Sequence, residues 1–109
     1  MPKAGDVVTA DFPGVTGIKR RPAIVVSTDT YHTHRPDVII CLLTTQIASA
    51  TAPTDYLLRD WKAAGLRRPS ASRSFLATLP ATDVTPMGRL SNRDWREVQA
   101  RLKLALAVP

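Results

Sequence analysis

Arg21-Pro22-Ala23-Ile24-Val25-Val26-Ser27, reached from Gly5-Asp6-Val7-Val8-Thr9-Ala10-Asp11-Phe12 through a loop that ends in Lys19-Arg20, decides how the rest of the chain is read. The β-branched run 24–26 has the content of a core strand. Pro22 lacks a backbone donor, so the ladder is predicted to begin beside it, over 23–27. Residues 5–12 alternate well enough to form a first strand. Pro13, Gly14 and Gly17 predict a loop between the two.

Working outward, the polar stretch 28–37, with His32 and His34, reads as a solvent-exposed connection. It leads by a hairpin into Val38-Ile39-Ile40-Cys41-Leu42-Leu43, a third strand. That run is far shorter than the roughly 18 to 20 apolar residues that cross a bilayer, so no membrane partner is expected. Cys41 is the only cysteine and cannot form an internal disulfide; inside an apolar run it reads as a buried, inert thiol. A small-residue loop at 47–53, a fourth strand at 54–58, a turn from Gly65 to Pro69 and a fifth strand at 72–79 complete the β part. Short strands with Gly and Pro punctuation predict a small barrel or sandwich.

The period then changes. Ser91 and Asp94 stand at the N-cap and N3 positions of a near-capping box, which predicts a C-terminal helix. Trp95, Val98, Leu102 and Ala105, with Leu106 beside them, fall on its apolar face.

A length of 109 residues predicts a single domain over 1–109, and 44% hydrophobic with 22% charged residues excludes general disorder. Met1-Pro2-Lys3-Ala4-Gly5-Asp6 has no apolar signal-peptide core, so a cytoplasmic location is expected. Fifteen Lys plus Arg against nine Asp plus Glu give a net charge of +6. Arginine supplies most of the positive charge, and its planar fork suits phosphate and stacks on bases, so polyanionic partners are predicted.

The order Gly5-Asp6-Val7-Val8, then Arg21-Pro22-Ala23-Ile24-Val25-Val26-Ser27, then Leu43-Thr44-Thr45-Gln46-Ile47 resembles the MazF/PemK/Kid family of toxin endoribonucleases. Gly65-Leu66 followed by Pro69-Ser70, and Gly88-Arg89-Leu90-Ser91 before the helix, extend the resemblance over nearly the whole chain. It implies a mainly β (α+β) fold, an SH3-like small β-barrel of the MazF/CcdB type with short helices and a C-terminal α-helix. It also implies a homodimer, an acidic MazE-type antitoxin, and cleavage of single-stranded RNA with no metal or other cofactor.

Attack of a ribose 2′-hydroxyl on its own phosphate gathers negative charge on the phosphorane oxygens and needs a proton for the departing 5′-oxygen. By resemblance, Arg21 and Thr44 are the catalytic pair: a guanidinium for the charge and a hydroxyl for a non-bridging oxygen. Lys19, Arg20, Thr45 and Gln46 are then RNA contacts, and Ser70 and Arg73 are further catalytic or RNA-binding candidates. His32 is a secondary candidate base, because imidazole exchanges protons near neutral pH.

Two family features are absent. The loop before the arginine reads Thr16-Gly17-Ile18-Lys19 where many members carry Gly-Ser-Glu-Gln, so a glutamate base is missing. The later strand reads Phe75-Leu76-Ala77-Thr78-Leu79 where many carry Gln-x-Arg-Thr, so the second arginine has no match, and Arg73 is either its substitute from a shifted position or a solvated strand residue. Two other readings stay open: a CcdB-like toxin that binds gyrase, which the position of Trp95 on the apolar helix face disfavours, and a degenerate member that only binds RNA or antitoxin.

Overall fold

The computed structural model describes residues 1–14 and 17–109. Its elements run β1 (Asp6–Gly14), β2 (Gly17–Val25), α1 (Asp29–His34), β3 (Asp37–Thr44), β4 (Tyr56–Leu57), β5 (Ala71–Pro80), β6 (Val84–Arg89) and α2 (Asn92–Ala105). The six strands form one curled antiparallel sheet in the order β4-β5-β3-β2-β1-β6. The mainly β architecture with a closing helix is the one the sequence predicts.

Both faces of the central strands are covered. Val7, Ile24, Cys41 and Leu43 pack on one side with Tyr56, Leu58, Leu66, Leu90 and Val98, against which Trp95 and Leu102 lie partly buried. Val8, Ala10, Ala23, Val25, Val38 and Ile40 pack on the other, with Val84. Cover on both sides is why 38–43 is continuously apolar instead of alternating. Burial also pushes the Cys41 thiol up to about 11, as an inert core residue requires.

Several boundaries differ from the sequence reading. β1 runs on to Gly14 and β2 begins at Gly17, so strand pairing covers most of the predicted loop; Val15 and Thr16 lie outside the described residues. Pro22 sits inside β2 opposite Thr9, yet the β2–β3 ladder starts at Ala23. The missing N–H thus falls where β2 has no partner on its β3 side. The expected fourth strand shrinks to Tyr56–Leu57.

The predicted exposed connection at 28–37 is instead a short helix, α1, because the Thr28 hydroxyl caps it by accepting from the Tyr31 amide. β6 was not foreseen at all. Pro86 and Gly88 disguise it as a turn, but as the outer strand it tolerates both, with a register shift where it meets Val7 and Val8.

Gly65 and Gly88, far apart in sequence, lie back to back. Gly65 has φ +88, and a Cβ there would stand 2.7 Å from the Met87 carbonyl oxygen. A Cβ on Gly88 would overlap the Ala64 carbonyl. Only backbone fits between the turn and β6.

Asp94 does more than serve the helix start. The Ser91 hydroxyl accepts from the Asp94 amide, as predicted. The fully buried Asp94 carboxylate, however, turns inward and accepts from the Tyr56 hydroxyl at 2.7 Å and from the Arg59 and Asp60 amides at 3.1 and 2.8 Å. Asp60 in turn accepts from Ser91 and Arg93, and these contacts, Ser91's first, hold its carboxyl below the usual range. α2 is thereby tied to the segment after β4.

Candidate active site

Arg21, Thr44 and Arg73 converge on one open cleft of about 420 Å³, with Phe12, Leu42, Leu43 and Phe75 as its other walls. Four strands supply the lining: β1 gives Phe12, β2 Arg21, β3 Leu42 to Thr44, and β5 Arg73 and Phe75. The two guanidiniums and the hydroxyl come from separate strands, so a rigid sheet holds them.

Alternation places Arg21 on the cleft side, beyond the inward-facing Ala23 and Val25. Among the described residues, no carboxylate lies within salt-bridge distance of Arg21 or Arg73. Both guanidiniums therefore keep their donors for a ligand. The Thr44 hydroxyl accepts from the Gln46 amide at 3.0 Å, which uses a lone pair and leaves its own hydrogen free to donate. The cleft lining contains no carboxylate and no imidazole. Its chemistry is cationic and hydrogen-bond donating, suited to a phosphate whose negative charge grows during reaction.

The remaining predicted residues divide. Lys19 shares the face of Arg21 by alternation and is exposed. Arg20, expected with it as an RNA contact, lies on the other face, where its guanidinium meets Asp11 at 3.1 Å and also the Thr85 hydroxyl, in a separate hollow with Asp83. Its charge is already engaged. Thr45 points away from Thr44, as alternation predicts, into a hollow of about 270 Å³ that it shares with Ser70, Arg67 and Arg68. Ser70 is buried there and donates to the Arg68 carbonyl, so it is not in the Arg21 cleft. Gln46 is exposed at the end of β3 and lines neither cavity.

His32 is the clearest correction. Rather than a solvated loop residue, it is buried in α1 with Nε2 2.6 Å from the Ser27 hydroxyl, and that same oxygen accepts from the Ile39 amide. It lines a different hollow with Asp29 and the N-terminal residues, apart from Arg21. Its role is to fasten α1 to β3. Among the described residues no group of three or more His, Cys, Asp or Glu stands close enough to share a metal ion, and no helix is long and apolar enough to cross a membrane.

Sequence reasoning gave Phe12 and Phe75 no role in the site, and it did not single out Arg67 or Arg68. Only the order of strands in the sheet brings these residues beside the predicted ones.

Residues 3–106 match the family model described as PemK-like, MazF-like toxin of type II toxin-antitoxin system. No curated protein matches the chain. Among solved structures, a mycobacterial endoribonuclease in complex with its cognate antitoxin superposes with TM-score 0.80 at 22% identity, covering 100% of this chain and 98% of that one. A MazE–MazF structure from Deinococcus radiodurans gives 0.78 at 20% identity, with 99% and 98% covered. The Mycobacterium tuberculosis toxin MazF-mt6 gives 0.75 at 18% identity, with 95% and 98% covered. These likenesses are to the fold.

Proposed function

Because the chain belongs to the PemK-like, MazF-like toxins of type II toxin-antitoxin systems, we propose that it is a sequence-selective, metal-independent endoribonuclease acting on single-stranded RNA and so blocking translation and growth. The observation that carries this reading is the convergence of Arg21, Thr44 and Arg73 on one cleft without a competing carboxylate. The reaction is a transesterification. The 2′-oxygen gives its proton to water and bonds to the adjacent phosphorus, the bond from phosphorus to the 5′-oxygen breaks as that oxygen takes up a proton, and the products are a 2′,3′-cyclic phosphate and a 5′-hydroxyl.

Arg21 stabilises the phosphorane or delivers the proton to the leaving 5′-oxygen, and Thr44 donates to a non-bridging oxygen. Arg73 takes the place of the family's second arginine. With no side-chain base in the cleft lining, the site works by charge stabilisation and positioning of the attacking oxygen.

Residues 1–109 act as one toxin domain, working as a homodimer and neutralised by an acidic MazE-type antitoxin. The net charge of +6 suits both RNA and such a partner. The gyrase-binding reading gains no support from Trp95, which is half-buried against the core. The test is an incubation of wild type and Arg21→Ala with a long RNA, with cleavage mapped by primer extension. Cutting should fall about 10² to 10³-fold in the variant. Equal rates would remove Arg21 from the mechanism.

A further inference from the structure

β5 breaks regular pairing where it enters the cleft. Cys41 stands opposite Leu76 and Leu43 opposite Ser72, so Leu42 alone faces the three residues Arg73, Ser74 and Phe75. Ser74 adopts φ 56, the one positive φ of a non-glycine residue among the described residues. A serine held in the left-handed region is strained and persists only where its surroundings enforce it. Here its hydroxyl is fastened to the Thr54 carbonyl at 3.0 Å. Bulges and strained residues of this kind re-aim side chains next to functional sites.

Arg73 and Phe75, both opposite Leu42, line the same cleft. Phe75 gains no packing from this: it is 64% exposed and belongs to neither core cluster. An exposed aromatic ring beside two guanidiniums that, among the described residues, have no carboxylate partner suits a ligand that is flat, apolar on its face and negatively charged nearby. A second copy of this chain fits poorly, since it would bring like charge against Arg21 and Arg73. A single-stranded nucleic acid offers a base for the ring and a phosphate for the arginines.

We propose that Phe75 is the stacking platform for one nucleobase of the RNA, beside the phosphate gripped by Arg21 and Arg73. Phe75 is thus a positioning residue: it sets which phosphate enters the cleft by holding a neighbouring base. The inference rests on the ribonuclease reading for its ligand, and the test separates the two.

Wild type, Phe75→Leu and Phe75→Trp are titrated by fluorescence anisotropy with 2′-O-methyl RNA of random sequence, which cannot be cleaved because the nucleophile is blocked. The same titrations use a 2′-O-methyl strand lacking its bases. Phe75→Leu should weaken binding to the intact strand about 5- to 100-fold, Phe75→Trp should retain it, and all three should bind the abasic strand alike. Tryptophan emission of Phe75→Trp should be quenched by the intact strand only.

Unchanged binding by Phe75→Leu overturns the proposal. So does an equal loss on the abasic strand, or a loss accompanied by dissociation into protomers in sedimentation, which would make Phe75 a subunit contact. If wild type shows the base-dependent difference but leaves unmodified RNA uncut, the ribonuclease reading fails and the platform stands. If wild type cuts RNA while Phe75→Leu binds and cuts as it does, the reverse holds.

Discussion

The Tyr56 hydroxyl donates to the Asp94 carboxylate across 2.7 Å, joining the two-residue strand β4 to the first turn of α2. A buried carboxylate with three donors fixes the helix in one place. Tyr56→Phe should cost about 1.5–3 kcal/mol, the usual range for a hydrogen bond to a charged group. Asp94→Ala, which strands three donors, should cost about 3–5 kcal/mol. Urea unfolding of both variants measures the difference; equal costs would mean the amide contacts contribute little.

Alkaline stability should be limited by two core groups. Burial raises the Cys41 thiol from 9.0 to about 11, so between those values the native state keeps a proton that the unfolded chain has lost. Stability is therefore unaffected below the lower value and falls as pH rises through the window. Tyr56, raised from 10.0 to about 12 by burial and then by Asp94, adds a second fall at higher pH. In urea titrations at about pH 8 and about pH 10.5, Cys41→Ala should lose less stability between the two than wild type does.

Gly88→Ala should destabilise by about 1–3 kcal/mol, since its methyl group would overlap the Ala64 carbonyl and force the turn off β6. Thermal unfolding reads this directly. A variant as stable as wild type would show that the two backbones separate at little cost.

Arg73→Ala should lower kcat for RNA cleavage by about tenfold or more, and Arg73→Lys should restore little of it if the planar fork matters more than the charge. Thr44→Val should lower kcat by about 10- to 100-fold through loss of one donor to a charged oxygen. Single-turnover kinetics at saturating enzyme separates these effects from weakened binding.

His32→Asn should lose about 1–3 kcal/mol of stability with the Ser27 contact and leave RNA cleavage unchanged at temperatures where it is folded. Loss of cleavage without loss of stability would return His32 to the mechanism.

Local chemistry explains which parts of the molecule were readable. The apolar run 38–43 and the hydroxyl of Ser91 carry their meaning within a few residues, and β3 and α2 formed where predicted. α1 depended on a single threonine cap inside a stretch rich in turn formers, and β6 on an outer position that excuses a proline and a glycine. Arg21 and Thr44 could be named from the resemblance, and Arg73 as a stand-in from a shifted position, yet their meeting depends on strand order. The role of Phe75 depends on a serine adopting a backbone conformation that its sequence does not advertise.

The two outermost strands carry one more consequence. β4 offers only Tyr56 and Leu57 along its free margin, and β6 interrupts its own with Pro86 and a register shift. Neither of these two strands offers a long, regular ladder of free backbone groups, so growth of the sheet through β4 or β6 is discouraged.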